Sequence, residues 1–101
     1  MTIEYKPYRL ECSATGCDET AEYKIASQWT DGSLTELKPY GFSCPRHLLE
    51  IFRDARTRKA QCRLSSGESC GEVGIYRFRP NLEDQQLERL PELEVREENT
   101  Q

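Results

Sequence analysis

Polar and apolar residues alternate from Ala21 to Trp29. Ala21, Tyr23, Ile25, Ser27 and Trp29 fall on one side of an extended chain, and Glu22, Lys24 and Gln28 on the other. A period of two predicts a half-buried strand. Asp31-Gly32-Ser33 supplies a turn. A return strand is expected through Leu34–Leu37 or Tyr40–Ser43, with Pro39 and Gly41 making its interior irregular. The period changes after Cys44: Leu48, Leu49, Ile51, Phe52 and Ala55 recur at helical spacing. Pro45 suits a first helical position and pushes the preceding residue out of the α region, so Cys44 is the expected N-cap and His47 falls in the first turn. The helix should end between Lys59 and Leu64, with Arg56, Arg58 and Lys59 facing the negative end of its dipole.

Outside this strand–turn–helix unit the pattern is weaker. Residues 3–11 read as an extended segment compatible with a sheet edge, Pro7 allowing only an edge or a bend. Residues 72–79 alternate again and predict a strand, with Val73, Ile75, Arg77 and Arg79 on one side and Tyr76 and Phe78 on the other. Leu82, Leu87 and Leu90 predict a short helix over 82–90, and the Glu-rich stretch after Pro91 has a disordered composition.

The chain has 101 residues, 36% hydrophobic and 32% charged, which fits one small domain. A core of this size gains a visible share of its stability from any added staple. The net charge of −4 resides in the tail: residues 81–101 carry 2 Lys+Arg against 7 Asp+Glu, whereas the body is near neutral. The expected division is a metal-binding α+β domain over 1–80 and an acidic tail, partly helical or disordered, over 81–101. The amino terminus has no signal-peptide shape, no run of 18 apolar residues occurs, and a cytoplasmic location is expected. Disulfides are rare there, so the five cysteines read as metal ligands plus core residues.

The candidate ligands are Cys12, Cys17, Cys44 and His47. They read C-x4-C, a gap, then C-P-R-H, and His47 is the only histidine. Three thiolates and one imidazole match a single tetrahedral structural Zn2+. Gly16 provides a position open to positive φ just before Cys17. Cys44 and His47, three apart across a helix start, share a face, and unpaired N–H groups there favour a thiolate. The competing reading makes Cys12 and Cys17 small core residues and His47 a polar helix-start residue; the joint spacing favours zinc. Cys62 and Cys70 read as a core and a loop residue, since two thiols cannot complete a second site.

A two-ligand knuckle, a β-hairpin and then a helix carrying two further ligands resembles a treble-clef zinc finger over residues 10–60. The resemblance implies a small zinc-stapled α+β domain, here with one main helix and an added carboxy-terminal strand. Treble clefs serve several functions, so the fold alone selects none.

Three classes of function compete. A Cys44–His47 nucleophile pair lacks an orienting third group, and Glu50 on a helix turn reads as solvated, so no enzymatic activity is expected. Nucleic-acid binding has candidate cations in Arg46, Arg53, Arg56, Lys59, Arg77 and Arg79, with Arg58 and Arg63 nearby. Glu50, Asp54 and Glu72 dilute that patch. A protein-interaction or adaptor module is the preferred expectation, with a protein partner and no membrane. Tyr5, Tyr8, Trp29, Tyr40 and Phe42 are the candidate aromatic anchors.

Overall fold

The computed structural model describes residues 10–61, 63–79, 81–83 and 86–99, residues 96–99 by backbone alone. Of the predicted extended segment 3–11, residues 3–9, which include Tyr5 and Tyr8, lie outside them, as does Cys62. Four antiparallel strands form one sheet in the order β2-β1-β3-β4. They are β1 (Tyr23–Thr30), β2 (Thr35–Ser43), β3 (Ser69–Arg77) and β4 (Glu88–Arg89). A 3-10 turn, Pro45–His47, leads into helix α1 (Leu48–Ala60), and helix α2 (Pro91–Asn99) closes the described chain. The expected α+β class, with a hairpin, one main helix and an added strand, is the observed one.

The hairpin forms because Asp31 organises its turn. The Asp31 carboxylate accepts hydrogen bonds from the Ser33 and Leu34 N–H groups and from the Ser33 hydroxyl. Those donors, the Ser33 N–H first, hold the carboxyl below its ordinary range. The two expected return segments are one strand: β2 pairs with β1 from Thr35 to Ser43. Its irregularity is a bulge, since Ile25 faces Gly41 and Ala26 faces Pro39, leaving Tyr40 over.

The alternation places β1 correctly but understates its burial. β1 lies between β2 and β3, and both of its faces are covered. Ile25 packs under α1 with Leu48, Ile51, Phe52, Ala55, Val73 and Ile75. Ala26 packs behind the sheet with Tyr76, Leu87 and Leu37. Lys24 lies on that rear face, buried, with its ammonium 5.8 Å from the centre of the Phe42 ring. Each large apolar side chain buried under α1 contributes roughly 1.5–3 kcal/mol.

The carboxy-terminal segment departs from expectation. Glu88–Arg89 is a strand on β3 where a helix was predicted, because Tyr76 and Arg77 offer an edge for pairing. A helix comes later, at Pro91–Asn99, in the tail expected to be partly helical or disordered. Leu90 is buried in the main core and Leu93 packs against it. A polar clasp joins them: Arg89 Nε and Nη2 each donate to the Glu94 carboxylate at 2.8 Å, and the Ile75 N–H donates to the same carboxylate at 3.1 Å. Local composition missed this order because the stabilising partners lie on β3.

Removing the clasp at its acceptor should be felt at Ile75. Glu94→Ala is expected to lower stability by about 1–2 kcal/mol, and Glu94→Gln, which keeps an acceptor, by less. Urea unfolding with hydrogen exchange at the Ile75 amide measures both; equal costs for the two variants count against the clasp.

Candidate metal centre

The knuckle is a short hairpin before β1. Glu11 bridges Thr20, the Cys12 N–H donates to the Glu19 carbonyl, and the Cys17 N–H donates to the Ala14 carbonyl. Gly16 takes φ +79° within it, a conformation that glycine adopts without steric cost. The second ligand pair comes from the end of β2. Cys44 is extended at φ −77°, ψ 166°, and Pro45 starts the 3-10 turn that carries His47. The predicted helix entry is thus a 3-10 turn leading into α1.

Two contacts hold the pairs at a fixed spacing. Ser13 acts as a one-residue strand on the outer edge of β2: its N–H donates to the Phe42 carbonyl and its hydroxyl accepts the Phe42 N–H. Gly41 lets α1 approach the sheet; a Cβ at that position would stand 3.1 Å from Ile51 Cγ2 and 3.5 Å from Ser13 Oγ. No local sequence signal marks Ser13 for this bracing, because its partner is 29 residues away.

All four predicted ligands come together. The Sγ atoms of Cys12, Cys17 and Cys44 and a ring nitrogen of His47 lie within 4.8 Å of one another. Cys17 and Cys44 Sγ are 3.9 Å apart. His47 Nδ1 is 3.3 Å from Cys44 Sγ and 3.7 Å from Cys12 Sγ. A tetrahedron built on zinc-like bond lengths has S···S edges of about 3.8 Å and S···N edges of about 3.5 Å. The three separations above lie near those edges, so the donor set is close enough to hold one metal ion, with Nδ1 the His47 nitrogen nearest two of the sulfurs. Cys12 and Cys44 are buried and belong to the main core cluster, while Cys17 and His47 are half-buried. The cluster is a zinc-finger-like arrangement able to hold a metal.

The thiols are not equivalent. Burial pushes Cys12 up, but main-chain hydrogen bonds from Cys44 and Ala14 and the neighbouring thiols outweigh it, and its pKa is lowered. At Cys17 a main-chain hydrogen bond from Glu19 lowers the pKa, yet burial and the adjacent Cys12 and Cys44 sulfurs leave it raised. Of the two, Cys12 gives up its proton the more readily.

The other sequence candidates are scattered. Cys70 is on β3, with Sγ 2.8 Å from Ser27 Oγ, so it belongs to the sheet where a loop residue was expected. Arg56 stacks on Phe52 at 5.8 Å and Arg77 on Tyr23 at 5.8 Å. Arg58 pairs with Asp54, lies over the Tyr40 ring and donates to the Tyr40 carbonyl. Arg46, Arg53 and Arg79 are exposed, Lys59 is half-buried, and Glu50 is exposed. Among the candidate anchors, Trp29, Tyr40 and Phe42 are half-buried, and Phe42 meets Phe78 edge to face at 5.1 Å. Among the described residues no helix is long and apolar enough to cross a membrane.

Comparison with protein-family models, with curated proteins and with solved structures finds no match to this chain.

Metal capture by three thiols releases protons, so its pH dependence has a definite sign. A raised thiol such as Cys17 stabilises the folded chain below the ordinary thiol range and loses that contribution as pH rises through its own pKa. A bound metal reverses the sign, because its thiolates are favoured at high pH and protonated off at low pH. Apparent metal affinity should therefore climb as pH rises through the Cys17 titration, and metal and thermal stability should be lost together on acidification. Competition against a chelating dye over a pH series, with parallel melting curves, measures this; a flat affinity profile rules out thiolate ligation by Cys17.

Proposed function

We propose that this chain is a zinc-stapled interaction module of treble-clef type, with one structural Zn2+ held by Cys12, Cys17, Cys44 and His47. The observation that supports the reading is convergence: a tight turn and a helix entry bring four ligand atoms within 4.8 Å of one another. Three thiolates favour zinc over harder cations. A catalytic zinc keeps one position for water or substrate, and here the protein supplies ligands for all four. The role assigned to the metal is therefore structural, and the domain acts as an adaptor for a protein partner without catalysis of its own. Binding free energies of structural zinc sites, about 10–16 kcal/mol, rival the whole stability of a small domain. The metal on this reading decides whether the hairpin–helix unit is available for docking.

Nucleic acid is the second reading, favoured by exposed Arg53 and Arg56, which flank a shallow depression on α1 with Thr57, Ala60 and Gln61. The two readings differ in salt dependence, since phosphate contacts release counterions.

Protein purified without added metal should contain one zinc per chain. Cys44→Ser and His47→Ala should each lose zinc and cooperative melting together. Either variant melting like the parent while metal-free would refute the staple. Titration with random-sequence DNA and RNA should show no salt-dependent binding; a steep salt slope transfers the assignment to the second reading.

A further inference from the structure

Among the described residues β2 is an edge strand, and its two halves have different surroundings. The half near the metal centre is covered, because Ser13 takes the outward N–H and C=O of Phe42. Among the described residues, no strand pairs with the outer edge of Thr35–Pro39. The turn bond from the Asp31 N–H to the Leu34 carbonyl fixes which main-chain groups point there. Antiparallel pairs alternate between bonded and non-bonded, so Glu36 and Lys38 bond inward to Trp29 and Ser27, their partners in register. Thr35 and Leu37 then direct their N–H and C=O groups outward. Pro39, the next outward position, has no N–H to leave unpaired.

We propose that this edge, unpaired among the described residues, pairs with the same edge of a second copy of the chain, antiparallel and two-fold symmetric about Leu37. The register has a charge argument. A two-fold axis at Leu37 sets Glu36 opposite Lys38 of the second copy, and Lys38 opposite its Glu36. Directly opposite residues on a shared face stand about 4.5–5.5 Å apart at Cβ, within reach of an ion pair. Both side chains lie on the α1 side of the sheet, because their register partners are Trp29 and Ser27, whereas Leu37 packs on the rear face with Ala26 and Tyr76. The two Leu37 residues exchange main-chain hydrogen bonds, and each Thr35 N–H reaches the opposite Pro39 carbonyl. Charged edge residues usually deter strand addition. Here their signs alternate so that one self-pairing register converts repulsion into attraction while neighbouring registers do not. Below this edge a groove of about 390 Å³ lined by Trp29, Pro39, Arg63, Leu64 and Glu68 leaves room for the incoming side chains. The Tyr40 bulge confines pairing to Thr35–Pro39.

The surface lies away from the four metal ligands, so this inference stands or falls independently of the metal reading. Sedimentation equilibrium of the metal-loaded full chain, from micromolar to millimolar, tests it, with metal content and circular dichroism as folding controls. The parent should dimerise reversibly. Glu36→Lys and Lys38→Glu should each weaken the dimer by about tenfold, since each places like charges opposite one another twice. An equimolar mixture of these two variants should associate as tightly as the parent, because all opposed pairs are then unlike. A parent that stays monomeric throughout, single variants that dimerise like the parent, or a mixture no tighter than its components would each overturn the proposal.

Discussion

Four ligand atoms must reach one point from two segments almost thirty residues apart, and the rest of the amino-terminal half is arranged around that requirement. Cys17 and Cys44 are 27 residues apart in the chain and 3.9 Å apart at sulfur. The hairpin between them spends those residues on a sheet that turns the chain back on itself. Ser13 on Phe42 and the close seat of Ile51 on Gly41 then set the spacing between knuckle, sheet and helix. A metal bound here would tie knuckle, sheet and helix together, so assembling the ligands and folding the hairpin–helix unit are coupled.

The site and the apolar core are continuous. Cys12 and Cys44 are buried in the same cluster as Ile25, Phe52 and Ile75, with Cys17 packed against it. Displacing a ligand therefore disturbs packing, and disturbing the packing moves a ligand. The continuity also accounts for the inequality of the thiols. Cys12 lies among main-chain donors that favour its thiolate, whereas at Cys17 the single Glu19 main-chain hydrogen bond is outweighed by burial and two neighbouring sulfurs.

Much of this was legible in the sequence for a physical reason: the informative residues act locally. The ligand spacing, Gly16, the Asp31 turn and the Pro45 helix entry each impose geometry on their immediate neighbours, and all four appear where expected. The failures are residues whose state is set at a distance. Lys24 reads as the solvent side of a strand but is covered on the rear face. Leu87 and Leu90 read as one helix stripe but straddle a two-residue strand, because β3 offered an edge. The acidic stretch after Pro91 reads as disordered, yet Glu94 finds both Arg89 and the Ile75 N–H. A period in the sequence reports which side of an element is apolar; it does not report how many neighbours cover the other side.

β2 draws these lines together, because one strand meets two opposed demands. Near the metal it must be sealed: a free N–H and C=O at Phe42 would loosen the element that carries Cys44, and Ser13 closes both. Farther out nothing in the metal centre requires a seal. Pro39 and the Tyr40 bulge divide the strand between these halves. The bulge sets Tyr40 aside under the Arg58 guanidinium, where its hydroxyl is buried without a hydrogen-bond partner among the described residues. Burying such a group costs stability, so the bulge has to be held by its surroundings. Lys38 and Arg58, at 5.9 and 5.5 Å from the Tyr40 ring, supply part of that hold through its π face. The irregular interior expected at Pro39 and Gly41 is thus the joint between the half that leads to Cys44 and an edge unpaired among the described residues.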